Sequence, residues 1–318
     1  MTTRLDGRVA VVTGAGGGLG KSHAKVLAGL GASVVVNDIG GDVNGRGTDS
    51  RPATEVVAQI EAAGGTAVAN FDSVAQPEGA EQLIEAAIDR FGKVDILVNN
   101  AGILRDRTFA KMTVQDFQDV VDVHLMGTIY CTRAAWPHMV AARGGRVVVT
   151  TSIAGTHGNF GQTAYGSAKM AVVGLIKTLA IEGAKYGILA NAISPAGASR
   201  MNADLGEVSA LNEFTPPEHV SAGVAYLVSD ECQTTGQLIQ SMAGGFSRLH
   251  YFESAGVQFD PREPITVDMV RERWAGIVDI EGATPTDDLT LAELQSMKSF
   301  AAPMGRMPER LAAIGLRL

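Results

Sequence analysis

Seven short, β-branched apolar runs alternating with longer helical stretches predict an α/β chain built on a doubly wound, seven-stranded parallel sheet. Two further observations support it. The stretches between runs are long enough for crossover helices, and a glycine-rich turn directly follows the first run.

The candidate strands are Arg8–Thr13, Ser33–Asn37, Thr66–Asn70, Val94–Asn99, Arg146–Thr150, Ile188–Ile193 and Gln237–Gln240. Gly20–Leu30, Ala53–Ala63, Gly79–Phe91 and Thr113–Ala142 supply the crossovers between parallel neighbours. Between the second strand and its helix lies a polar, glycine-rich insertion, Gly40–Arg51. It is expected on the open surface, the alternative being a loop beside a bound ligand. From about Tyr251 the rhythm stops, and Pro261, Pro264 and Pro285 punctuate a segment with helical patches at Asp268–Ile280 and Leu289–Lys298. Residues 1–250 are therefore expected to form the sheet domain. Residues 251–318 form a mainly helical extension packing on it or on a neighbouring subunit.

With 318 residues and 46% hydrophobic composition the chain can bury a full core. Its 26 basic and 34 acidic residues give a net charge of −8, which excludes nucleic-acid binding by phosphate neutralisation. The stretch Met1–Asp6 has no apolar signal core, and no run approaches the ~18 to 20 apolar residues of a membrane span. A cytoplasmic protein is the expectation. Cys131 and Cys232 lack Cys-x-x-Cys spacing and read as core fillers. His23, His138, His157, His219 and His250 have no ligand spacing, so no metal is expected. Serine-hydrolase elbow, zincin and phosphate-loop motifs do not occur.

Thr13-Gly14-Ala15-Gly16-Gly17-Gly18-Leu19-Gly20 follows a strand and opens a helix, where free backbone N–H groups can approach a pyrophosphate. The spacing fits Thr-Gly-x-x-x-Gly-x-Gly through Gly14, Gly18 and Gly20 rather than Gly-x-Gly-x-x-Gly. Asp38 ends the second strand, where a carboxylate can accept from a ribose 2′-hydroxyl and repel a 2′-phosphate. That places the sheet among Rossmann-type dinucleotide folds and favours NAD over NADP. Asp72 ends the third strand and can cap the next helix or meet an adenine edge, while Asn99-Asn100-Ala101-Gly102 ends the fourth.

Tyr165 and Lys169 lie four apart at the start of a helix, so both project from one face, and Ser152 stands at the end of the fifth strand. A tyrosine of pKa ~10 serves as a base near neutrality only where a cation favours its phenolate, and Lys169 is placed to do this. Ser152 can then hold the substrate oxygen.

Together these residues resemble the short-chain dehydrogenase/reductase family over roughly Arg4–Gly245. Within it, Val36–Asp42, Asn99–Arg107 and Gly158–Gln162 are similar to the (3R)-hydroxyacyl-CoA dehydrogenase part of peroxisomal multifunctional enzyme type 2, a group also called 17β-hydroxysteroid dehydrogenase type 4. The likeness continues into Thr266–Trp274. It implies NAD-dependent oxidation of a (3R)-hydroxyacyl-CoA, with a 17β-hydroxysteroid as the alternative substrate, or a steroid side-chain thioester satisfying both. The cofactor set it implies is Thr13, Gly14, Gly18, Leu19, Gly20, Asp38, Asp72, Ser73, Asn99, Ala101, Gly102, Tyr165, Lys169 and Ser199; after Pro195-Ala196-Gly197, Ile193 and Arg200 also compete for the nicotinamide carboxamide.

His124 stands where most of the family carries a catalytic asparagine; the narrower group, too, has histidine there, and it reads either as a proton-relay residue or as a packing histidine bonded to a backbone carbonyl. Arg105, Arg107, Lys111 and Arg200 are candidate cations for CoA phosphates, with a solvated surface as their other reading. The resemblance implies a homodimer or dimer of dimers on helices Thr113–Ala142 and Tyr165–Gly183. With no hydratase or sterol-carrier domain and no Ser-Lys-Leu ending, a free-standing bacterial dehydrogenase is expected.

Overall fold

The computed structural model describes residues 3–196, 214–285 and 307–316. One sheet holds eight strands: β1 (Val9–Thr13), β2 (Ser33–Asn37), β3 (Thr66–Asn70), β4 (Ile96–Asn99), β5 (Gly145–Thr150), β6 (Ile188–Ala196), β7 (Leu238–Met242) and β8 (Gly245–Leu249), in the order β3-β2-β1-β4-β5-β6-β7-β8. The first seven pair in parallel. Their cores are apolar on both faces because helices cover both, and β1 and β4 are buried throughout.

The helices are α1 (Gly18–Gly29), α2 (Arg51–Ala62), α3 (Pro77–Phe91), α4 (Val114–Val121), α5 (Gly127–Ala142), α6 (Ile153–Thr156), α7 (Thr163–Ala184) and α8 (Pro217–Leu227). α1 packs with α2 and α8, α3 packs on α5, and α4 packs on α7. By length and composition α7 could cross a membrane, but it lies against β6 in the fold. β1 sits between β2 and β4, so the chain reverses its direction of travel across the sheet there. A crevice opens above the carboxyl ends of β1 and β4 at that reversal.

Two features differ from expectation. An eighth strand follows β7 through Ala243 and Gly244, both at positive φ (46° and 77°), a two-residue turn that reverses the chain. Its run Gly-Phe-Ser-Arg-Leu is exposed and carries no alternation to announce it. The expected helix Thr113–Ala142 is also broken in two. Thr113 and Asp116 close a capping box at the start of α4, and a π-helical turn, Asp122–Met126, separates α4 from α5. Such turns are often retained at functional sites, and this one carries His124.

The chain divides into two compact units, Met1–Arg248 and Leu249–Leu318. In the second, β9 (Phe252–Glu253) pairs antiparallel with β10 (Thr284–Pro285), and Thr266 caps α9 (Val267–Val278) by accepting from the Met269 N–H. Ser254 Oγ donates to the Ile277 carbonyl at 2.8 Å, and Arg310 of α10 (Met307–Ala313) pairs with Glu253 at 2.8 Å. The expected helical patch Leu289–Lys298 lies outside the described residues.

Candidate active site

The glycine turn after β1 is shaped by what lies beside it. Gly14 has φ +62°, and a Cβ there would fall 2.7 Å from Ala101 Cα, so the turn after β4 could not approach a larger residue. Thr13 Oγ1 accepts from the Asn100 and Ala101 N–H groups, both at 3.0 Å. Asn100 Nδ2 donates to the Thr13 and Gly14 carbonyls at 3.0 and 3.1 Å. The two turns are thus locked together. No acidic side chain stands in the first turn of α1, which leaves its N-terminus free for an anion.

Asp38 braces the same turn. One carboxylate oxygen accepts from the Gly16 N–H at 2.8 Å and the other from the Gly40 N–H at 2.7 Å. Each oxygen keeps a lone pair for a further donor. Asp72 does not cap α3, whose N-cap is Gln76; its Oδ2 accepts from Asn70 Nδ2 at 2.6 Å.

On the other side of the crevice, Lys169 is buried and donates from Nζ to the Thr150 carbonyl at 2.5 Å. Thr151 Oγ1 donates to the Lys169 carbonyl, also at 2.5 Å, which pins α7 to the end of β5. Burial pushes the Lys169 ammonium down to about 7. Burial raises the Tyr165 phenol above its ordinary value, the Ser152 hydroxyl opposes that rise and Asp106 adds to it. Ser152 Oγ accepts from the Ala154 N–H at 3.1 Å, so its own O–H remains to donate.

His124 is buried, with its ring edge-on to Tyr165 at 5.1 Å between centroids. Its Nε2 lies 3.0 Å from the Ile103 nitrogen and 2.8 Å from the Ile103 oxygen, while Nδ1 has no partner. Burial, and then the Lys169 charge, hold it well below the ordinary histidine range, so the ring is neutral. A Cβ on Gly102 would collide with the imidazole, which explains the glycine at that point.

One cavity of about 720 Å³ joins these groups. Gly14, Gly18, Leu19, Asp38, Asp72, Ser73, Ala101, Gly102, His124, Ser152, Tyr165 and Lys169 all line it. Thr13, Gly20 and Asn99 stand behind its wall, and the Asn99 side chain turns away to Thr132 Oγ1 at 3.1 Å. Ser199 and Arg200 lie outside the described residues.

The residues that sequence reading missed are structural partners of the site. Asn100 braces the glycine turn, whereas Asn99, expected at the cofactor, places its side chain on Thr132; the signal was the strand's alternation, which sends adjacent residues to opposite faces. The insertion after β2, expected on the open surface, instead contributes Gly41, Asp42, Val43 and Gly45 to the cavity wall. Arg105 is not available to a phosphate: its side chain is 12% exposed, 3.7 Å from Asp116 and 3.4 Å from Asp119, and it donates to the Asn44 carbonyl. Arg107 is largely exposed, 3.7 Å from Asp116. Cys131 is core, its thiol pushed up to about 12 by burial. Among the described residues no cluster suited to a metal occurs.

A glycine cradle at the switch point of a doubly wound sheet, facing a Ser-Tyr-Lys set, defines an oxidoreductase site. The chain belongs to the short chain dehydrogenase family, whose profile matches residues 8–207. It is 51% identical over 88% of its length to a short-chain type dehydrogenase/reductase of Mycobacterium tuberculosis, spanning 96% of that protein. It is 46% identical over 88% of its length to peroxisomal multifunctional enzyme type 2 of Drosophila melanogaster, and 47% over 86% to the peroxisomal hydratase-dehydrogenase-epimerase of Saccharomyces cerevisiae. Of those two it spans 46% and 30%. The solved full-length Drosophila enzyme superposes with TM-score 0.77 at 37% identity, covering 98% of this chain and 50% of that one. A short chain dehydrogenase from Mycobacterium avium gives 0.76 at 36%, covering 88% and 96%.

Proposed function

We propose that the protein oxidises a (3R)-3-hydroxyacyl-CoA to the 3-ketoacyl-CoA with NAD as acceptor. The observation that carries this reading is the convergence of the glycine cradle, Asp38, Ser152, Tyr165 and Lys169 on one cavity. Its relatives add weight, since they include a peroxisomal multifunctional enzyme type 2 and a peroxisomal hydratase-dehydrogenase-epimerase.

The residues present fit NAD. The α1 N-terminus offers N–H groups to a pyrophosphate, and Asp38 keeps lone pairs for a 2′-hydroxyl. Asp42 lies on the same wall, its carboxyl held below the usual range by the Arg46 N–H, so a 2′-phosphate would meet two carboxylates. Bound in this cavity, the oxidised nicotinamide would supply the hydride acceptor.

Ser152, whose hydroxyl also meets the Tyr165 phenol, donates its O–H to the substrate oxygen and orients it. Tyr165 takes the hydroxyl proton as C3 is oxidised. Lys169, held near 7 by burial, can give up or regain a proton at neutral pH, and its charged form favours the phenolate.

The test is to follow reduced-cofactor absorbance with (3R)- and (3S)-hydroxyacyl-CoA and a 17β-hydroxysteroid, each with NAD and NADP. The (3R)-thioester with NAD should turn over fastest, and Asp38→Ala should narrow the cofactor preference. Faster turnover of the steroid would replace the substrate assignment, and a wild-type preference for NADP would remove the role given to Asp38.

A further inference from the structure

Two parts of the cavity wall meet through one side chain. Arg105 Nη1 donates to the Asn44 carbonyl in the loop after β2, and its guanidinium faces Asp116 and Asp119 on α4 at 3.7 and 3.4 Å. The neighbouring Leu104 N–H donates to the Val43 carbonyl at 3.0 Å, and Gly45 lies against the Ile103 side chain. The loop is therefore fastened to the segment after β4 at three successive residues.

That segment continues to the catalytic groups. Ile103 meets His124 Nε2 through its backbone, and α4 runs directly into the π turn that carries His124. Ile103, Val120 of α4, and Ala164 and Ala168 of α7 form one buried apolar cluster, against which Tyr165 packs. A side chain only 12% exposed, with a backbone carbonyl on one flank and two carboxylates on the other, has a bridging geometry that a lysine could not reproduce.

We infer that Arg105 is a positioning residue which ties the adenosine-side loop to the helix bearing His124, so that occupancy of the cofactor end aligns the acid/base end. The inference rests on the cofactor reading above. Arg105 touches no reacting atom; it acts through α4 and Ile103. Filling the loop end favours the latched arrangement, and the latched arrangement holds His124 edge-on to Tyr165.

The experiment measures ADP-ribose affinity by calorimetry and kcat at saturating NAD for wild type, Arg105→Ala and the double variant Asp116→Asn/Asp119→Asn. Melting curves check the fold. Arg105→Ala, which removes the guanidinium from both Asn44 and α4 while the Leu104–Val43 hydrogen bond remains, should weaken ADP-ribose about fivefold or more and lower kcat to a similar extent. The double variant frees α4 from Arg105, and with it weakens the Asp116 side of the Thr113 cap and the approach to Arg107, so its melting curve is read beside its rate; it should lower kcat while holding ADP-ribose within about twofold. If Arg105→Ala fails to fold, the double variant alone decides: wild-type kcat in it overturns the link. In a folded Arg105→Ala, unchanged ADP-ribose affinity or unchanged kcat overturns it, and a lower melting temperature with both values intact makes Arg105 merely structural. Wild-type protein that binds 2′-phospho-ADP-ribose but not ADP-ribose removes the NAD reading alone, and the same variants then test the link with that ligand. Binding of neither removes both.

Discussion

At the amino-terminal edge of the sheet, charges are paired with one another. Asp95, just before β4, accepts from the Val9 N–H at 2.8 Å and faces Arg8 at 3.4 Å and Lys93 at 3.0 Å. Asp230 pairs with Arg8 and lies 3.9 Å from Arg146. At the carboxyl edge, buried polar atoms stand without partners: His124 Nδ1, Thr150 Oγ1 at the end of β5, Ser194 Oγ near the end of β6 and Ser241 Oγ near the end of β7. An unpaired buried polar group costs stability, on the order of 1 to 3 kcal/mol. Of these, His124 and Thr150 line the cavity, so one edge secures the sheet with paired charges and the other leaves polar atoms beside the cavity for a ligand.

The contrast breaks most sharply at Tyr165. Tyr165→Phe should lose at least the 10² to 10⁴-fold typical of an acid/base group while NAD binding and melting temperature stay near wild type. Near-wild-type turnover would remove Tyr165 from the mechanism.

His124 sharpens it further, because the structure satisfies both readings of this residue: Nε2 is engaged with a backbone group, as a packing histidine would be, and Nδ1 is left free at a residue lining the cavity. His124→Ala should lower kcat by about tenfold or more with its circular dichroism unchanged, while His124→Asn keeps substantial activity. Equal rates for the alanine variant and wild type would reduce the residue to packing. Equal losses in both variants would show that the imidazole itself is required.

The smallest effect on rate belongs to the opposite edge. Asp95→Ala strands the Val9 N–H and two cations, and should cost about 2 kcal/mol of stability while kcat stays within about twofold. A large loss of kcat with an unchanged melting temperature would erase the distinction between the edges.

Much of this was legible in the sequence, for reasons that differ by residue. The parallel strands read cleanly because burial on both faces leaves uninterrupted apolar runs such as Val9–Thr13. That Gly14, Gly18, Asp38, Ser152, Tyr165 and Lys169 would meet at one cavity could be read from the sequence because their types and spacing follow a motif. The eighth strand was hidden because an exposed run pairs through its backbone, leaving no hydrophobic pattern. The π turn at Asp122–Met126 was hidden because one extra residue in a helical turn alters no composition. Arg105 was read as a free cation because its partners, Asn44 and Asp119, are 61 and 14 residues away and are brought to it only by the fold.

The account depends most on Tyr165 and Lys169 acting as one buried acid/base pair, and the pH dependence of kcat for alcohol oxidation tests this directly. Burial raises the phenol and lowers the ammonium; with Lys169 Nζ 5.6 Å from the Tyr165 ring, the two groups share one proton-binding environment, in which a charged lysine favours the phenolate. Oxidation by wild type should climb with pH along a single proton loss. In Lys169→Ala, with the neighbouring cation gone, the whole curve should move to higher pH and its rate at neutral pH should fall by at least tenfold. A midpoint that stays where it is in Lys169→Ala would contradict the pairing.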